Sequence, residues 1–232
     1  MKRLLFSISV CLLAVAAFAS PKAEPLKGER PDFEKIRREA LDPKSKMNFD
    51  RLYAKFQKND TLMTPEEYRY LYYGYMFTED YDPYRTSPYS DIVEPLYYKK
   101  EHSRQETDTI MKYAELSLQD NPFDLKQMSY YIYVLRERKK DARANIWQFR
   151  LRRLILTILS SGDGSEENPW CVIYPAHEYN ILNFRDLIAT GHEERGVGID
   201  FLKVQKADDK SPDGYYFDFS QGQRILRLKF GE

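Results

Sequence analysis

The sequence predicts a mainly α fold: antiparallel helical hairpins of irregular spacing, with a small α+β unit at the C-terminus. Three observations carry this prediction. Apolar residues recur at helical spacing from Phe33 to Ile158, capping signals punctuate that pattern, and beyond Gly162 short β-branched and aromatic runs replace it.

The chain opens "MKRLLFSISVCLLAVAAFAS". Basic Lys2 and Arg3 precede an apolar run from Leu4 to Phe18, and Ala17-Phe18-Ala19 has the pattern of a cleavage site. This is the signature of a secretory signal peptide over residues 1–19, cut after Ala19. The expected product is exported, periplasmic or extracellular, with no transmembrane span after cleavage, since later apolar runs are too short to cross a bilayer. Residues 20–31, rich in proline and charge and without periodicity, read as a flexible leader.

Helices follow. Phe33, Ile36, Ala40 and Leu41 share one face of the first, and Phe49, Leu52, Tyr53 and Phe56 one face of the second, which Asn48 can cap. "TPEE" opens the third. Thr64 is its N-cap, Pro65 takes the first turn, and Glu67 closes a capping box, with the helix reaching about Thr78. "EDYDPYRTSPYS" is a loop by its prolines and turn formers, and the helix after it would hold Pro95 in its first turns. Ser103 and Glu106 box the next helix, with Ile110, Ala114 and Leu118 inward. "DNP" at Asp120 stops it. Pro122 should begin another helix, with Leu125, Met128, Ile132 and Leu135 inward. The last long helix carries Trp147, Leu151, Leu154, Ile155 and Ile158 and should end with Gly162 as its C′ residue.

Residues 32–162 thus read as a helical-hairpin domain and 163–232 as the α+β unit packed on it. In the latter, "WCVIY" is a short β-branched run. "GIDFLKV" and "YYFDF" flank a Pro-Asp-Gly turn signal and predict a strand-loop-strand unit. The tail "SQGQRILRLKF" reads as a helix boxed by Ser220 and Gln223, although Leu226, Leu228 and Phe230 alternate as in a strand.

In the third helix Tyr70-x-x-Tyr73-Gly74-x-x-Phe77 resembles the first-helix pattern of a tetratricopeptide repeat. That resemblance implies a glycine placed where a partner helix approaches closely. "AELSLQDNP", Ala114 to Pro122, is similar to the join between two such repeats, though not one regular period away. The signal peptide, "MTPEEYRYLYYGYMF", "YDPYRTSPYS", "NPFDLKQM" and "HEYNIL … GIDFLKV … GYYFDFS" together resemble a domain-of-unknown-function family of secreted proteins from anaerobic gut bacteria. That resemblance spans most of the chain and implies no activity.

Composition removes several function classes. The chain has 36 basic and 36 acidic side chains, and loss of Lys2 and Arg3 leaves 34 against 36, so nothing biases the whole molecule toward nucleic acid. Cleavage removes Cys11 and leaves Cys171 alone, so packing rather than an internal disulfide must stabilise the product. Neither His177-Glu178 nor His192-Glu193-Glu194 has a second histidine one helical turn on, and no structural zinc motif, calcium-loop spacing at "GDGSEEN" or phosphate-binding loop is present. No cofactor signature exists. Cys171 and His177 could pair as nucleophile and base, but a buried strand cysteine is the reading their context favours.

Two features remain as candidate sites. Tyr70, Tyr73 and Phe77 are expected in the core, while Tyr68, Tyr72 and Tyr75 could face either a second helix or solvent. In the loop, Tyr81, Tyr84, Arg85 and Tyr89 stand where binding residues concentrate. Arg136, Arg138 and Arg143 lie in a locally basic stretch that could meet an anionic glycan or an acidic peptide. The expected function is a non-catalytic protein- or peptide-interaction module of the cell envelope, its partner an envelope protein or peptide and not nucleic acid. A glycan-binding protein using exposed tyrosines is the alternative, and a cryptic hydrolase built on Cys171 or the C-terminal histidines a second.

Overall fold

A computed structural model describes residues 28–231, except 85, 100 and 207. The signal peptide and most of the leader lie outside the described residues, as does Arg85. Among the described residues the chain forms nine α-helices and one four-stranded sheet, mainly α with a small C-terminal sheet as the sequence predicts.

Helices α1 (Phe33–Leu41), α2 (Phe49–Gln57) and α3 (Pro65–Gly74) pack with α3 in the middle. The predicted caps hold. Asn48 accepts from Arg51 N, and Thr64 and Glu67 form both bonds of the capping box. The third helix is shorter than expected, because its last turn tightens into a 3-10 turn over Tyr75–Phe77. Leu41, assigned to the inner face of α1, is half exposed at the helix end.

Helix α4 (Pro88–Tyr97) corrects the loop reading. Ser87 caps it, Pro88 takes its first turn, and Pro95 sits near its C-terminal end rather than in its first turns. Helices α5 (Arg104–Asp120), α6 (Leu125–Glu137) and α7 (Asp141–Leu159) then pack in sequence order. Helix α6 starts not at Pro122 but behind Asp124, whose carboxylate caps Gln127 N. Gly162 is not a left-handed cap either; α7 closes at Ser160, and the positive φ falls at Gly164.

The C-terminal part contains β1 (Trp170–Cys171), α8 (Ala176–Phe184), β2 (Ala189–Gly196), β3 (Ile199–Val204), β4 (Gly214–Asp218) and α9 (Ser220–Phe230). The sheet order is β1-β4-β3-β2, parallel between β1 and β4 and antiparallel elsewhere. The strand-loop-strand prediction corresponds to β3 and β4. The tail is a helix, but Phe219 rather than Ser220 is its N-cap and no side-chain cap forms.

One buried cluster runs through both parts, from Ile36 and Leu71 to Ile173 and Phe217. The end of the leader joins it: Pro31 is buried, Glu29 N donates to Ser160 O, and Arg69 bridges Glu29 O and Ser160 O. Arg30 pairs with buried Asp218. Residues 28–31 are therefore strapped across the join between α7 and β1, a tertiary tie that composition does not encode.

Candidate functional site

Most tyrosines of the Tyr68–Ser90 stretch face inward. Tyr68, Tyr70, Tyr72, Tyr73 and Tyr75 are all buried, so the three with an open expectation pack against other elements. Tyr81, expected on a surface loop, is also buried. Three hydroxyls tie this stretch to the C-terminal part. Tyr73 donates to Cys171 O at 3.0 Å, Tyr81 donates to Ile173 O, and Tyr72 accepts from Ile173 N at 3.3 Å. A buried tyrosine needs such a partner, and these have carbonyls and amides of the chain itself.

His177 completes that network. Its Nε2 lies 2.9 Å from Phe123 O and so carries the proton, leaving Nδ1 to accept from Tyr72 Oη at 2.6 Å. Burial pushes its pKa down to about 3 against the opposing effect of the Phe123 bond, so the ring is neutral. Both nitrogens are occupied, so neither can take a proton from a thiol. Burial, with a further contribution from the Asp218 carboxylate, raises the Cys171 thiol to about 12. That is the environment of an inert core cysteine.

The outward side chains cluster elsewhere. Tyr84, Tyr89, Ile92 and Tyr98 are exposed, Tyr84 to 63% and Tyr98 to 72%. Pro88, Ile92 and Pro95 share an outer stripe of α4 at spacings of four and three, while Val93 and Tyr97 anchor its inner face. The Tyr89 ring stacks on Tyr113 at 6.3 Å, joining this stripe to a shallow cleft of about 600 Å³ along α5 that Arg104, Asp108 and Tyr113 help to line. Of the expected loop contacts, Tyr84 and Tyr89 thus lie at the surface and Tyr81 does not. Ile92, Pro95 and Tyr98 join them. The loop reading covers only the first turn of this helix, which begins on Pro88 and carries Pro95 on its solvent side near its C-terminal end.

Arg136, Arg138 and Arg143 of the basic stretch have partners within the chain. Arg138 pairs with Asp108 at 2.9 Å, Arg143 with Glu115, and Arg136 reaches Gln148, Asn145 and Asp141. Arg150 donates to Phe56 O and Gln57 O and stacks over Phe56 and Trp147, and Arg153 donates to Met63 O. These bonds tie α7 to the turn after α2.

One group of side chains within metal-ligating reach exists among the described residues, Glu178, His192 and Asp200. No linear motif announces it. Glu178 belongs to α8 and His192 to β2, two elements missing from the sequence reading: β2 has no buried residue to make an alternation, and α8 turns His177 and Glu178 inward with Ile181 and Leu182.

The model of a domain of unknown function, DUF4919, matches residues 34–227. The chain belongs to this family. The match covers both the helical part and the sheet. Comparison with curated proteins and with solved structures finds no match. Among the described residues of this DUF4919 protein, no helix is long and apolar enough to cross a membrane.

Proposed function

We propose that this DUF4919 protein is a non-catalytic interaction module, exported across the inner membrane, that binds a polypeptide segment of the cell envelope along α4. The observation that carries the proposal is the surface formed by α4 and the residues at its two ends: Tyr89 and Ile92 project from the outer side of a helix whose other face is fixed in the core, with exposed Tyr84 in the turn before it and exposed Tyr98 at its C-cap. Aromatic groups held on a rigid element contribute large amphipathic contact area at small entropic cost, which is why such groups dominate hot spots. The cleft beside Tyr113 extends that surface onto α5. Successive packing of α4, α5, α6 and α7 supports a tetratricopeptide-like reading of the helical part, with α4 as its open end. The neutral, doubly bonded His177 and the buried Cys171 favour a binding role over a thiol hydrolase.

The test compares capture from envelope extract by the mature chain and by a Tyr84→Ser/Tyr89→Ser/Ile92→Ser variant that retains the parent's melting behaviour. Tyr81 is left intact, since its loss would disturb the core. A partner held by the parent and lost by the variant is the expected result. Equal recovery by both removes α4 as the contact surface. A partner displaced by soluble oligosaccharide but not by peptide would transfer the same tyrosines to glycan recognition.

A further inference from the structure

The β2–β3 hairpin pairs His192 with Leu202, so Asp200, two residues earlier on β3, is the diagonal neighbour of His192 on the same face. His192 Nε2 and Asp200 Oδ1 are 2.7 Å apart. Helix α8 brings Glu178 against this pair, and one donor atom from each of the three lies within 4.8 Å of the other two. Glu178 is only 2% exposed, and its Oε1 has no hydrogen-bond partner among the described residues.

A buried carboxyl oxygen without a donor is costly, and a second carboxylate close by makes it more so. The cluster has two ways to relieve this: keep a proton between the carboxyls, or exchange it for a cation. The imidazole favours the second. A proton shared by two carboxyls needs no nitrogen beside it, whereas one nitrogen with two carboxylate oxygens is a ligand set for first-row divalent ions. The side chain of His192 is half exposed, giving an entry path and leaving a fourth position to water.

We propose that Glu178, His192 and Asp200 form a binding site for a single divalent transition-metal ion of the Zn²⁺ type. Calcium and magnesium are disfavoured, because they take six or more oxygen ligands and this site offers an imidazole and two carboxylates. The site ties α8 to the β2–β3 hairpin, which carries the edge strand β2 of the sheet, so the ion would fasten that edge to the helix. It is independent of the α4 surface.

The experiment titrates the chelator-treated mature chain with ZnCl₂ by calorimetry, with MgCl₂ in parallel, and repeats it with Glu178→Gln and His192→Ala. Glutamine keeps the shape of the buried side chain, and His192 stands at the surface, so both variants should fold. A His102→Ala variant controls for histidine binding elsewhere. The expected result is one Zn²⁺ per chain, no comparable Mg²⁺ binding, and at least a tenfold loss of affinity in each of the two site variants but not in the control. Co²⁺ should give the intense visible absorption of a low-coordinate site, lost in the same variants. Absence of Zn²⁺ binding by the parent overturns the proposal and leaves the shared proton as the account of the pair. Equal affinity in parent and site variants overturns it as well, by placing the ion elsewhere.

Discussion

Tyr72 is fully buried, and its hydroxyl serves two groups at once, donating to His177 Nδ1 and accepting from Ile173 N. Phenylalanine at this position would preserve the ring and strand both partners in the core. Each stranded group costs about 1–3 kcal/mol, so Tyr72→Phe should lower stability by roughly 2–6 kcal/mol in urea unfolding. Tyr98→Ala removes a far larger group from a residue 72% exposed, and should stay within about 0.5 kcal/mol of the parent. Comparable losses from the two would mean that hydroxyl ties do not hold the core. Sequence spacing assigns Tyr70 and Tyr73 to the interior, but nothing local separates Tyr72 from Tyr98. What distinguishes them is whether a carbonyl, an amide or a ring nitrogen from a hundred residues away arrives to meet the hydroxyl.

Helix α3 shows how much of an element can be read locally. Its capping box, its initial proline and its glycine are all legible in "TPEEYRYLYYG", because each acts through backbone groups only a few residues away. The partner of Gly74 is not legible. A Cβ there would stand 3.0 Å from Ala40 Cβ on α1, so a branched side chain must push the two helices apart. Gly74→Val is expected to cost about 1–3 kcal/mol by overpacking. In a double-mutant cycle Ala40→Gly should return part of that loss, and strict additivity would show that α1 is not what confines the glycine. Helix α8 and strand β2 escaped the sequence, which also places the start of α4 too late. Turn-forming residues around Pro88 imitate a loop over the first turn of α4, α8 buries polar side chains, and β2 buries none, so hydrophobic periodicity had nothing to register there.

At the scale of the whole molecule, burial keeps several ionisable groups neutral. Burial raises Tyr68 and the Cys171 thiol to about 12 and pushes Tyr72, Tyr73 and Tyr81 well up too. In the unfolded chain tyrosines ionise near pH 10. Between these values the unfolded chain binds fewer protons than the folded one, so stability must fall as pH rises. The contribution is complete below the unfolded values and is lost as pH climbs through the folded ones. The urea midpoint should therefore drop between about pH 9 and about pH 11, and phenolate absorbance from the buried tyrosines should appear only as helical ellipticity disappears. An unchanged midpoint across that interval would mean the tyrosines ionise in place. Helical content, the order of hairpins and a final small sheet are all legible in the chain itself, as are the caps, because periodicity and capping depend on neighbours a few residues apart. The N-terminal strap, the burial of Tyr81, the outward stripe of α4 and the meeting of Glu178 with His192 and Asp200 are settled only by the tertiary fold. Each depends on which distant segment supplies the other half of a contact, and no local pattern of residues carries that information.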